Sequence, residues 1–346
     1  MAETRSSGPK RRRAAMALLC LAAGVALGCQ GSALTGAKLY LQQGEAERAK
    51  EQLLLALETE PQNPEVHYLL GRVYGDEGEY ASMSESFDRS LELSGEFGPQ
   101  IEELRRRNWT KLYNQGVERA SAEPPDFSAA AELFELATTV DPELLDAWRN
   151  LAISHSRLSD LDGAIQAYEF VAARAPEDSS TFHHLGMLYL EKGDPASAER
   201  TFEQLLESSP RHVGALTGLA SLYVDSERFV DAEAAYERAV EAAPEIWQTH
   251  FNLGNLYWNL DRFDSARDAY LRALELNPDD TDTRFNLAVT WLALERTDEA
   301  LPHLEELSRR TPENATVWRE LGRVYALDER IEESEAAYEA AATLEE

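Results

Sequence analysis

Five prolines, Pro176, Pro210, Pro244, Pro278 and Pro312, follow one another at intervals of 34 residues. Other residues keep their phase. Small residues recur at Ala164, Ala198, Ala232, Ala266 and Ala300, with Tyr168, Phe202, Tyr236, Tyr270 and Leu304 four positions later. Upstream stand Leu151, Leu185, Leu219, Leu253 and Leu287, each followed by Ala or Gly. A fixed period of this size describes one supersecondary unit built repeatedly. It overrides the two-domain expectation that a length of 346 would otherwise carry. Within a copy, apolar residues fall at i, i+3, i+4 and i+7, so each copy reads as two helices around a Gly- or Asp-bearing turn. Neither helix is long enough to stand alone in water. The small residues let the pair approach closely, the aromatics fill the gap to the next pair, and Pro ends the second helix. Stacking then buries one continuous core with contacts between neighbours only.

These positions resemble the tetratricopeptide repeat, with its pattern W-x2-L-G-x2-Y…A-x3-F…P. Copies in register occupy 145–178, 179–212, 213–246, 247–280 and 281–314. The last, 315–346, keeps Trp318, Leu321, Gly322, Tyr325 and Tyr338. Toward the N-terminus, 64–97 keeps Leu70, Gly71, Tyr74, Gly78 and Phe87, and a degenerate copy at 30–63 keeps Tyr40, Gly44, Ala49, Leu53, Ala56 and Pro61. The copy at 109–144 keeps Gly116, Ala130, Phe134, Ala137 and Pro142, with extra residues around "EPPD". The resemblance implies an all-α, right-handed superhelical solenoid of about nine helix-turn-helix repeats, two over 30–97 and seven over 109–346. Residues 98–108, "GPQIEELRRRN", are inserted between them. Pro99 suits a first helical turn, and Ile101, Leu104 and Leu112 share a helical phase, so the first helix of the third repeat is expected to extend backwards. Either this is a longer solvated helix, or Arg105, Arg106 and Arg107 form a hinge or docking ridge.

The formal charge of −30 is too acidic for a nucleic-acid backbone binder, which needs a basic stripe. Mostly it signals solubility and self-repulsion. The N-terminus is different: "PKRRR" precedes the apolar stretch Ala14 to Gly28, then Cys29. A basic region followed by an apolar one of this length describes an export signal over 1–28 and is short for a membrane-spanning helix. "ALGC" resembles a bacterial lipobox, which makes Cys29 the lipidation site, although Ala26 stands where Leu or Val is usual. The only other cysteine, Cys20, lies in the apolar stretch, so cleavage would leave no disulfide. Gln30 after the cysteine, by the same resemblance, favours an outer-membrane lipoprotein facing the periplasm of a bacterial envelope. The alternative is an uncleaved inner-membrane anchor.

No catalytic set stands out. There is no H-E-x-x-H, no zinc spacing, no G-x-S-x-G, no P-loop and no dinucleotide fingerprint. The chain therefore reads as a non-enzyme without cofactor or metal. In the family the first helix of each repeat lines a groove, through repeat positions 2, 5, 9 and 12 with position 6 beside them. Positions 5, 9 and 12 make one helical stripe. They carry Phe251, Asn255 and Trp258 in one repeat and Phe285, Val289 and Leu292 in the next. Position 6 carries Asn114, Asn150, Asn252 and Asn286, with His184 and Gly218 in the gaps. Asn offers a donor and an acceptor, matching the two polar groups of a peptide bond. This resembles the asparagine ladder by which the repeats of O-linked GlcNAc transferase hold extended peptide, but Asn is also simply frequent at this position. Arg149, Arg319 and Arg323 complete the candidate groove. Arg319 and Arg323 do not occupy the places of the family's carboxylate clamp. The implied partners are proteins or extended peptide segments, with self-association through the C-terminal repeat, or an accessory role in envelope assembly, as the alternative.

Overall fold

The computed structural model describes residues 33–345. Eighteen α-helices and no strand occur among the described residues. They form successive pairs. The first four pairs are α1 (33–43) with α2 (Ala46–Thr59), α3 (Pro64–Glu77) with α4 (Tyr80–Leu93), α5 (Gly98–Ala120) with α6 (Phe127–Val140), and α7 (Leu145–Arg157) with α8 (Leu161–Arg174). Next come α9 (Ser179–Lys192) with α10 (Pro195–Ser208), α11 (Val213–Asp225) with α12 (Phe229–Ala242), and α13 (Trp247–Asn259) with α14 (Phe263–Leu276). The last are α15 (Thr281–Ala293) with α16 (Thr297–Arg310) and α17 (Ala315–Leu327) with α18 (Ile331–Glu345). The result is an all-α solenoid of repeated helix pairs. It divides into two compact units, the first closing at Val171 and the second beginning at Ala172. The export signal and Cys29 lie outside the described residues.

Local chemistry sets the helix ends. Side chains of Asn63, Asp126, Asp178, Asp194, Asp280 and Asn314 accept backbone N–H bonds at the heads of α3, α6, α9, α10, α15 and α17. Each satisfies a donor that the helix itself leaves unpaired. The turn inside a pair needs one left-handed residue. Gly44, Gly78 and Gly193 supply it in three pairs, and Ser159, Glu227, Asp261, Glu295 and Glu329 in five others. The remaining turn, between α5 and α6, is longer and contains a cis Glu123–Pro124 bond.

Packing follows the period. A ring four positions after the small residue of the second helix lies on the small residue of the first. A Cβ on Gly186 would stand 2.4 Å from Phe202, and one on Gly254 2.6 Å from Tyr270. In the first unit, Leu53, Val66, Leu70 and Val73 make one buried cluster and Met83, Phe87, Ile101 and Leu112 another. In the second, a single cluster runs from Phe182 to Val324.

The inserted segment is the start of α5, a 23-residue helix entered through a short 3-10 turn, Gly95–Phe97. Phe97 stacks on Tyr68 at 4.8 Å, and Ile101 is buried. The arginine run is matched by the chain's own acids: Arg105 with Asp88 at 2.7 Å, Arg106 with Glu102 at 2.8 Å and Arg107 with Asp76 at 2.9 Å. Its charge is offset in place.

Candidate functional site

In the second unit, α13, α14 and α15 enclose a cleft of about 440 Å³. Asn255, Trp258 and Asn259 of α13, Tyr270 of α14, and Phe285, Asn286 and Val289 of α15 line it. No lining side chain is charged. Asn255 and Asn286 hold the equivalent of positions 9 and 6 in consecutive repeats, so one repeat step brings their amides together. Asn286 Nδ2 donates to Asn255 Oδ1 at 3.1 Å, and the Tyr270 hydroxyl donates to the same oxygen at 2.7 Å. Burial pushes the Tyr270 phenol well above its ordinary value, so it remains a donor. Two donors on one oxygen set the orientation of the Asn255 amide. Asn255 Nδ2 and Asn286 Oδ1 then have no partner among the described residues, one a donor and the other an acceptor. Trp258 and Phe285 are half-buried, each packed on the core along one side.

The other residues on the stripe go elsewhere. Phe251 lies outside the cleft, its ring 6.1 Å from Trp247 and 6.0 Å from Tyr270. Asn252 is half-buried on α13, also outside the lining. Leu292, expected in the groove, is 8 % exposed and belongs to the core cluster. Trp258, at the same repeat position, stays in the cleft, so packing rather than helical spacing sends Leu292 into the core. Arg319 is paired with Glu345, and Arg323 with Glu320 at 3.4 Å. His184 is exposed, and its Nδ1 donates to the Ser180 carbonyl at 2.7 Å.

In the first unit Asn150 Nδ2 donates to the Tyr113 hydroxyl at 3.0 Å, again reaching back one repeat. Tyr113 is stacked on Trp109 at 4.6 Å. Arg149 is paired with Asp146 at 2.8 Å, and Asn114 is exposed.

Several relevant residues had escaped the sequence reading. Val117, Ile153 and Met187 hold position 9 of their repeats and are 39 %, 42 % and 47 % exposed. The signal was available: each is apolar four residues after a polar or aromatic position 5. Another set belongs to the frame. His67, Trp148, His250 and Trp318 each reach the carbonyl of the proline six residues earlier, at 2.8 to 3.0 Å. That assigns His67 and His250 a structural task, with the ring proton on Nε2. A third feature is His183, half-buried and 5.2 Å from the His212 ring and 5.7 Å from that of His184. Burial first, then the charges of His212 and His184, push its imidazole below the ordinary value. His212 caps α11, its Nδ1 accepting from Ala215 N–H at 3.1 Å.

Among the described residues no three His, Cys, Asp or Glu side chains are placed to hold a metal ion. No described helix is long and apolar enough to cross a membrane.

Family models described as tetratricopeptide repeat match residues 34–93, 126–179, 184–246 and 285–345, with a further one at 247–280. No curated protein sequence matches the chain. Among solved structures it is similar to pilF of Pseudomonas aeruginosa, at 14% identity over 60% of this chain and 94% of that one, with a TM-score of 0.50. It is also similar to YrrB, described as a TPR protein with an unusual peptide-binding site (24% identity, 52% of this chain, 93% of that one, TM-score 0.48). A third is MamA (23% identity, 46% of this chain, 94% of that one, TM-score 0.45). The similarity in each case is one of fold.

Proposed function

The chain belongs to the tetratricopeptide repeat family, a fold of protein-interaction scaffolds, and from that premise we propose that it is a non-catalytic scaffold holding an extended segment of a partner protein in the α13–α15 cleft. The observation that carries this reading is the unused donor on Asn255 and acceptor on Asn286, on amides bonded to each other in a cleft that Trp258 and Phe285 also line. A peptide backbone offers the matching pair, and a side chain can pack on the rings that line the same cleft. Two hydrogen bonds contribute about 1 kcal/mol each, and burying one apolar side chain about 2 kcal/mol. A total of roughly 4 kcal/mol is only millimolar affinity, before the cost of ordering the peptide. Useful binding therefore recruits further stripe residues of the same unit, such as Phe251 and Met187. The test is partner capture with the wild-type chain as bait, beside the double variant Trp258→Ala, Asn286→Ala. Capture lost with helicity retained supports the cleft; unchanged capture removes it from the mechanism.

The same proposal places the scaffold at the bacterial envelope, lipid-anchored through Cys29 and most simply on the outer membrane facing the periplasm. Its support is the "PKRRR" run, the apolar stretch and "ALGC". Cys29→Ser should release the protein from the membrane fraction and block its maturation. Membrane association unaffected by that change rejects the anchor.

A second reading, self-association through the last repeat, is favoured by the exposed apolar residues Leu327, Ile331, Tyr338 and Leu344 on or beside α17 and α18. Light scattering at high concentration separates the two: a strict monomer removes self-association.

A further inference from the structure

Resting on the cleft reading above, we infer that the segment it takes is an interior one, extended, with one aromatic or long aliphatic side chain flanked by Lys or Arg. Acidic segments and free C-terminal carboxylates are disfavoured.

Hydrogen-bond polarity gives the first reason. Asn255 Oδ1 is occupied by Tyr270 and Asn286, so what remains is the Asn255 Nδ2 donor and the Asn286 Oδ1 acceptor. In an extended chain the N–H and C=O of one residue point to the same side, as they do across an antiparallel pair. Such a residue can accept from Asn255 and donate to Asn286 together. A carboxylate only accepts. It can take the Asn255 bond, but it then sets oxygen against the oxygen of Asn286, with no cation in the lining to offset its charge.

Charge gives the second. Asp282 lies one turn before Phe285 on α15, so the two share a face. It is exposed, and its carboxylate makes no hydrogen bond or ion pair among the described residues. Of the nearby cations, Arg319 and Arg323 are engaged by Glu345 and Glu320, and Arg284, two residues after Asp282 on α15, turns back to the Pro278 carbonyl. Asp282 is therefore the unpaired charge on the face that carries Phe285, about 200° round the helix from Arg284, within a chain whose formal charge is −30. A basic flank gains from both Asp282 and the wider field, and an acidic flank is repelled by both.

The test uses the full chain and short fluorescein-labelled peptides with a central Phe in a Gly/Ser background. One is N-acetylated, C-amidated and flanked by Arg. The second is capped likewise and flanked by Glu. The third ends in Phe with a free carboxylate. Fluorescence anisotropy should show the Arg-flanked peptide binding about tenfold tighter than either rival at low salt, with the gap narrowing as salt is raised. Asp282→Asn should cut that preference about threefold. Phe285→Ala should weaken the Arg-flanked peptide without altering the order. Equal affinities, a reversed order, or no binding by any of the three overturns the inference. The parent reading fails separately, when Trp258→Ala, Asn286→Ala leaves partner capture unchanged.

Discussion

Asn286 reaches back one repeat to donate its amide to Asn255, on the same oxygen that the Tyr270 hydroxyl already bonds. The Tyr270 side chain is almost wholly buried, so its hydroxyl depends on that oxygen. Asn255→Ala should therefore lower stability by about 1–3 kcal/mol, the cost of stranding a buried donor. Tyr270→Phe removes the donor instead and leaves Asn286 bonded to Asn255, so its cost should be nearer 1 kcal/mol. Guanidinium unfolding of both variants decides the order. A larger loss for Tyr270→Phe would show that the hydroxyl does not depend on Asn255.

The indole of Trp148 donates to the Pro142 carbonyl at 3.0 Å, and that of Trp318 to Pro312 at 2.8 Å. Replacing either Trp with Phe keeps most of the ring and removes the donor. Each change should cost about 1 kcal/mol, with the two adding because the sites are far apart in sequence and share no partner. Denaturant midpoints of the two single variants and the double variant test this.

Acid should weaken the second unit before the carboxylates titrate. His183 is pushed down by burial and by His212 and His184, and His303 by burial and by Arg284. Unfolding returns both to an ordinary value near 6.5, so below about that pH the unfolded chain binds more protons than the folded one. Stability is then full above that pH and falls as the pH drops through it. Asp194 and Glu306 are held low by hydrogen bonds, and their contributions are lost only further down, in the carboxylate range. Thermal midpoints should decline between about pH 7 and pH 5 in the wild type and stay flatter in His183→Gln, His303→Gln. Parallel curves for the two proteins would assign the decline to other groups.

The turns inside the pairs carry a removable strain. Glu295 sits at φ 58° and Gly78 at φ 81°, the same turn in two repeats. A left-handed residue with a Cβ costs on the order of 1 kcal/mol, less for Asn. Glu295→Asn should stabilise by several tenths of a kcal/mol, and Glu295→Gly should be near neutral, because the unfolded chain gains freedom. Gly78→Ala should destabilise by about 1 kcal/mol. Melting of the three variants orders them.

Helix pairs, turn positions and the buried faces could be read from the period alone. Burial in a repeat depends on nearest neighbours, and each neighbour is another copy of the same pattern. Leu53, Leu219 and Leu287 are buried for that reason, and so are the rings set on Gly186 and Gly254. Part of the cleft was equally legible: Asn255, Trp258 and Phe285 hold stripe positions in consecutive repeats, and Asn286 stands beside the stripe. Hydrogen-bond partners were not. Only packing brought Tyr270 under Asn255, turned Leu292 into the core, left Met187 exposed and spent Arg319 on Glu345. Helical spacing specifies which face a residue occupies. It is silent on the rotamer and on the angle at which the next pair crosses, and those two quantities decide which polar atoms meet and which remain for a ligand.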